Sequence, residues 1–261
     1  MSTTPSLPPN LRGALARLRS GQPVFGLVQT APGPFVTELA VWSGFDFVVV
    51  DCEHGIIDEP AHVASLQVIS GSEAFAVVRV RPGDVGAISR YLDFGAAGIL
   101  MPNVRTPAEA TALVAAATYG PKGTRSSTGS ALRAARYGLG PQTDPAPPLL
   151  LAMIESAQGV ENIGAIAQTP GLDGLVIGPY DLSADLGCAN DFSAAAYTRA
   201  FTEIERAAAR TGRLLGSAAF PGFPVQRLLS AGHRFIVASV DTLALRDGFR
   251  SHLAAARGTE S

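Results

Sequence analysis

The chain has 261 residues, 47% of them apolar and 16% charged, a formal net charge of -2 and two cysteines. The length suits one α/β barrel of about 250 residues with a sizeable core. The lack of a basic block disfavours nucleic-acid binding, and no apolar stretch is long enough to span a bilayer. Cys52 and Cys188 make no disulfide framework, and Met1 to Asn10 lacks an apolar signal core, so a cytoplasmic location is expected.

No linker, low-complexity tract or charge run divides the chain, so residues 1–261 are expected to form one domain. Asn10 can cap a helix over Leu11 to Arg19, which Gly21 ends. Strand one is expected at Val24 to Gln29, followed by a helix over Pro34 to Ser43 that Gly44 stops. Strand two is Phe47 to Val50, with a helix over Glu59 to Ser70. Strand three is Phe75 to Val80, and Asp84 caps a helix over Val85 to Phe94. Strand four is Gly98 to Met101. Thr106-Pro107-Ala108-Glu109 then opens a helix to Thr118, with Thr, Pro and Glu at the positions a capping box favours.

Tyr119 to Pro148 breaks this rhythm with closely spaced Gly and Pro. It reads as an extended loop with a short helix near Ser130 to Tyr137, and long loops in compact domains are often functional. Strand five is Leu149 to Ile154, with a helix over Gly159 to Gln168. Strand six is Gly174 to Ile177, with a helix over about Ala194 to Thr211. Strand seven is Leu214 to Ala218, with a helix over Pro224 to Ala231. Strand eight is Arg234 to Val237, and Asp241 to Arg257 is the last helix. Strict alternation argues for a parallel sheet. Eight strand–helix units behind an N-terminal helix predict an α/β fold, a (β/α)8 TIM barrel.

In such a barrel the C-terminal strand ends converge on one face, where active sites sit. Here four apolar runs end in charged residues. Phe47 to Val50 enters Asp51-Cys52-Glu53-His54, and Ala76 to Val78 enters Arg79. Leu149 to Ile154 enters Glu155, and Leu175 to Ile177 enters Gly178-Pro179-Tyr180-Asp181. Glu155 and Asp181 follow adjacent strands and could hold a hard divalent cation; the plain alternative is a pair of solvated or capping carboxylates. Arg79 could stabilise a developing oxyanion or simply pair with a barrel carboxylate.

His54, beside Asp51 and Glu53, could be a general base whose tautomer a carboxylate fixes, or a loop histidine bonded to backbone. His62, His233 and His252 fall on or beside helices and look structural. Cys52 has no feature favouring a nucleophile over a small buried residue. Gly178 to Asp181 could offer backbone N–H groups to the carboxylate of a small 2-oxo acid. No glycine-rich nucleotide fingerprint is present.

Three ordered blocks resemble the HpcH/HpaI family of metal-dependent pyruvate aldolases, and the likeness runs from about residue 11 to 255. The first block is Gly44-Phe-Asp-Phe-Val-Val-Val-Asp-Cys-Glu-His-Gly55. The second joins Met101-Pro-Asn-Val-Arg-Thr-Pro-Ala-Glu-Ala110 to Tyr119-Gly-Pro-Lys-Gly-Thr-Arg125. The third joins Met153-Ile-Glu-Ser156 to Pro170-Gly-Leu-Asp-Gly-Leu-Val-Ile-Gly-Pro-Tyr-Asp-Leu-Ser183. The resemblance implies that Glu155 and Asp181 ligate the metal (Mg²⁺, Mn²⁺ or Co²⁺) and that Arg79 binds the pyruvyl oxygen. It implies that His54 acts through water on the aldol hydroxyl, paired with Asp93 from a neighbouring subunit.

Substrate contacts are further expected from Gly178, Pro179, Tyr180 and Ser217, with Asp51 and Met153 behind the reacting groups. Met153 stands where many members carry Gln, and Gly120 replaces the first Pro of a Tyr-Pro-Pro run. The resemblance also implies a hexamer, a trimer of dimers, with the last helix exchanged between subunits.

The expected reaction is reversible cleavage of a 4-hydroxy-2-oxo acid to pyruvate, or a related 2-oxo acid, and an aldehyde. Lys122, the one lysine, lies in the long loop, which argues against an imine mechanism. The rivals are a lyase acting on a CoA thioester, similar to the citrate lyase β-subunit, and a barrel that binds a 2-oxo acid without catalysis.

Overall fold

Each of the eight strands expected from the sequence forms part of one sheet. In the computed structural model, which describes residues 13–259 except 32, 57, 128–130 and 140–146, the strands are β1 (Val24–Gln29), β2 (Phe47–Asp51), β3 (Phe75–Arg79), β4 (Gly98–Met101), β5 (Leu149–Ile154), β6 (Gly174–Ile177), β7 (Leu214–Ala218) and β8 (Phe235–Val240). They pair in sequence order, all parallel, and β8 returns to β1, so the barrel is closed. Helix α1 (Ala14–Arg19) precedes β1. The others are α2 (Pro34–Trp42), α3 (Glu59–Ser70), α4 (Val85–Asp93), α5 (Pro107–Ala117), α6 (Ala157–Glu161), α7 (Ile163–Ala167), α8 (Pro179–Asp185), α9 (Ala195–Thr211), α10 (Val225–Ser230) and α11 (Asp241–Arg257).

Side chains alternate along each strand, and this sorts the core into two layers. Phe47, Val49, Phe75, Val77, Leu149, Leu151, Val176, Phe235 and Val237 form the interior cluster. Val48, Val50, Ala76, Val78, Leu150, Ala152, Leu175 and Ile236 belong to the second cluster, with the surrounding helices. Phe47 stacks on Phe235 at 4.0 Å between ring centroids and meets Phe75 at 5.6 Å. Gly26 makes room for that ring, since a Cβ there would lie 2.2 Å from it. Fully burying one such ring contributes about 1.5–3 kcal/mol. Ala14, Leu15 and Leu18 of α1 join the interior cluster and plug the barrel at that end.

Helix starts follow the sequence closely. The Asp58 and Asp84 carboxylates accept from the N–H groups of Ala61 and Ala87, each at 3.1 Å. Thr106 and Glu109 form the reciprocal capping box. Several expectations shift. β3 ends at Arg79, and β8 runs on to Val240. The helix expected over 159–168 breaks at Asn162, whose backbone leaves the helical range and whose side-chain amide donates to the Arg105 carbonyl at 2.8 Å. The short helix in the long loop is 3-10, Arg133–Gly138. α8 was not expected at all. Residues 10–12 of the first expected helix lie outside the described residues.

α11 is the least embedded helix. Its one buried residue is Asp241, which accepts from Thr30 N–H (3.1 Å), the Thr30 hydroxyl (2.8 Å) and Ala31 N–H (2.8 Å). Leu245, Phe249 and Leu253, spaced four apart, are all exposed. Among the described residues, no helix is long and apolar enough to cross a membrane.

Candidate active site

The strand period carries polar residues to the barrel mouth. Asp51 and Arg79 pair in register at the ends of β2 and β3, two residues beyond the inward Val49 and Val77. Asp51 is fully buried and grips Arg79 in a fork, accepting Nε at 2.8 Å and Nη2 at 2.6 Å. The same carboxylate accepts the backbone N–H groups of Glu53 (3.0 Å) and His54 (3.4 Å), which folds the following loop over the arginine. Glu53 adds a second anion, 3.3 Å from Arg79 Nη1. Burial works against the Arg79 charge, but the hydrogen bond and charge of Asp51 more than offset it and hold its pKa above the ordinary value.

The β5–β6 side is built differently. Glu155 follows β5, is 6% exposed, and accepts one hydrogen bond, from Asn103 N–H at 2.7 Å. Across the strand pair stands Gly178, where an added Cβ would come within 2.2 Å of Glu155 Oε2, so the carboxylate occupies the space a side chain would take. Asp181 is the acid in the first turn of α8. Burial first, then the charges of Asp181 and Glu53, push the Glu155 carboxyl up to about 7. Burial likewise raises Glu53, against the opposing pull of Arg79. Three carboxylates therefore share one mouth with a single committed arginine.

Other expected residues fall into place or out of it. His54 is exposed, and of its two acidic neighbours the one near its ring is Glu53, at 3.8 Å from Nε2, while Asp51 is occupied with Arg79 and backbone. Asp93 ends α4 and pairs with Arg125 at 2.7 Å, not with the His54 of its own chain. Met153 faces the interior, half-buried below Glu155. Ser217 is a correction. It pairs in register with the outward Ile177, is fully buried, and its hydroxyl donates to the Ala218 carbonyl at 3.1 Å, so it does not reach the mouth.

The loop Gly178 to Asp181 offers fewer donors than expected. Gly178 N–H is spent on the Ile154 carbonyl at 3.2 Å, and Pro179 has none, which leaves those of Tyr180 and Asp181. Tyr180 is half exposed, with its ring edge-on to Phe192 at 5.5 Å. Burial pushes the Cys52 thiol up to about 11, which disfavours the nucleophilic thiolate. His62 and His233 are buried, as expected of structural histidines.

Of two further contributors, the sequence offers Glu53 only as a neighbour of His54 and does not single out Asn103. Glu53 supplies the carboxylate shared by Arg79 and His54. Asn103 turns its N–H onto Glu155 by adopting φ 51, a left-handed conformation in which Asn is enriched. The only sequence signal was an asparagine after Met101-Pro102.

A closed (β/α)8 barrel whose mouth joins a clamped arginine to clustered acids defines a barrel enzyme acting on small oxyanionic substrates. The chain belongs to the HpcH/HpaI aldolase/citrate lyase family, whose model matches residues 27–247. It is 34% identical to a hydroxypyruvate/pyruvate aldolase of Deinococcus radiodurans, over 90% of this chain and 86% of that one. It is also 34% identical to a 4-hydroxy-2-oxovalerate aldolase of Novosphingobium aromaticivorans, over 89% of this chain and 90% of that one. The crystal structure of a family protein from Burkholderia cenocepacia superposes with TM-score 0.86 at 29% identity, over 93% of this chain and 98% of that one.

Proposed function

We propose that this protein is a divalent-metal-dependent aldolase that reversibly cleaves a 4-hydroxy-2-oxo acid into pyruvate, or a related 2-oxo acid, and an aldehyde. The observation that carries the reading is the convergence of Glu155 and Asp181 with the clamped Arg79. The buried Glu155 and the exposed Asp181, two mutually repelling carboxylates of hard oxygen character, fit a hard divalent cation. Mg²⁺, Mn²⁺ and Co²⁺ are all compatible with such oxygen donors, and Glu155 and Asp181 would hold the ion. A bound cation supplies Lewis acidity at the carboxylate and 2-oxo oxygen of the substrate.

The chain's own residues do the rest. Arg79, kept charged and immobile by Asp51, donates to the oxygen that gains negative charge as the C3–C4 bond breaks. His54, exposed at the rim, takes the C4 hydroxyl proton, directly or through a water. Asp93 of a second copy of the chain orients that imidazole. The N–H groups of Tyr180 and Asp181 face the substrate carboxylate, and the half-exposed Tyr180 ring borders the aldehyde end. The exposed stripe Leu245, Phe249 and Leu253 supports exchange of α11 between copies in a hexamer built as a trimer of dimers. Two free cysteines agree with a reducing cytoplasm.

The test is exchange of pyruvate methyl protons with D₂O, followed by NMR, with Mn²⁺ or Mg²⁺ and again with excess chelator. Metal-dependent exchange is expected, and a screen of aldehydes follows from it. No exchange with any metal would overturn the aldolase reading and move weight to a CoA-thioester lyase or to a barrel that only binds 2-oxo acids.

A further inference from the structure

The turn between α5 and the long loop delivers one buried cation. Thr124 N–H donates to the Ala115 carbonyl at 2.8 Å and Arg125 N–H to the Thr118 carbonyl at 3.0 Å, which folds the chain back over the end of α5. Gly123 permits this approach, since a Cβ there would lie 2.2 Å from the Thr118 carbonyl oxygen. Arg125 then lies over the Tyr119 ring, 4.4 Å from its centroid, with its side chain only 6% exposed. Its Nη2 donates to Asp93 Oδ1 at 2.7 Å, while its buried Nε has no partner among the described residues.

This pair differs from the other buried arginine–aspartate pair of the molecule. Arg79 and Asp51 engage through both oxygens, the strong fork geometry. Arg125 takes one oxygen of Asp93, and among the described residues Oδ2 accepts nothing. A buried guanidinium held by one oxygen, with an idle donor, is a costly way to glue a loop to a helix. It is an effective way to hold a carboxylate stationary with its second oxygen open, and Asp93 is 18% exposed at the end of α4.

We propose that Arg125 is a positioning residue. It fixes Asp93 as an oriented anion whose free oxygen accepts from the His54 imidazole of a second copy of this chain. The inference rests on the aldolase reading, which gives Asp93 that partner. Tyr119 and Gly123 serve it indirectly, one by stacking on the guanidinium and the other by shaping the turn.

The test uses the full chain loaded with Mn²⁺, and pyruvate or hydroxypyruvate with acetaldehyde, glycolaldehyde and glyceraldehyde as acceptors. Asp93→Asn and Arg125→Met are each expected to lower kcat by roughly 10- to 100-fold, with KM for the 2-oxo acid within about twofold. Arg125→Met/Asp93→Asn should lose no more than the worse single variant, because both act through one carboxylate. Arg125→Lys, which keeps the charge and guards against a folding failure, should recover part of the loss.

Wild-type kcat in an Arg125 variant of unchanged Tm and assembly, beside a slow Asp93→Asn, would overturn the role of Arg125 alone. Additive losses in the double variant would overturn it too. Wild-type kcat in Asp93→Asn, or no aldol product from the unaltered protein with any acceptor, would instead overturn the reading on which it rests.

Discussion

At the ends of β2 and β3 buried charges are matched, and at the ends of β5 and β6 they are not. Asp51 lies fully buried yet spends both oxygens on Arg79 and on two backbone N–H groups. Glu155, nearly as buried, has one backbone donor and two acidic neighbours. Proteins rarely bury uncompensated charge, so the two walls carry different meanings. The first is finished by folding and sets where Arg79 points. The second is left unfinished by the chain, and the proposed cation would complete it.

The largest effect that tests this contrast is on turnover. Glu155→Ala is expected to abolish metal-dependent activity, a loss of about 1,000-fold or more. Unchanged rates of pyruvate exchange in that variant would remove the cation from the β5–β6 wall. Asp51→Asn attacks the matched wall, where loss of one partner leaves Arg79 buried and underpaired. Chemical denaturation should register about 3–5 kcal/mol of lost stability, and a cost under about 1 kcal/mol would show the clamp to be incidental.

The pH dependence of the metal-free protein probes the unmatched wall. The folded Glu155 carboxyl titrates near 7, against an ordinary value of 4.5. Below 4.5 both folded and unfolded chains hold the proton. Between 4.5 and about 7 the folded chain keeps a proton the unfolded one has released, so stability falls as pH rises through that window. The total is on the order of 3 kcal/mol. Glu155→Gln should flatten this slope and also cancel any stabilisation by Mn²⁺; an unchanged slope would place the titration elsewhere. A smaller effect is expected from Gly178→Ala, whose methyl group displaces Glu155 Oε2. Calorimetric titration with Mn²⁺ should show affinity weakened roughly 10- to 100-fold.

Much of this was legible because parallel barrel strands are short, apolar and sharply ended. β4, β5, β6 and β7 match their expected limits. The family blocks then supplied roles that spacing alone left open. What escaped has physical causes. α8 is seven residues long, too short to show a helical period, although Gly178-Pro179 is a good helix entry. The strand's period of two decides where Ser217 faces. Leu214 and Ala218 pack on the interior cluster, which turns Ser217 outward. The Arg125–Asp93 pair bridges 32 residues, a separation no local pattern encodes.

Asp241 gives α11 a fixed root and a free length. Its carboxylate ties the start of the helix to Thr30 and Ala31, just past β1, which is the seam where β1 and β8 close the barrel. From there the 17-residue helix extends about 25 Å with little of its own barrel to satisfy. Root and shaft therefore answer to different contacts. A change at Asp241 disturbs closure of the sheet, whereas a change at Phe249 or Leu253 alters only what the shaft meets.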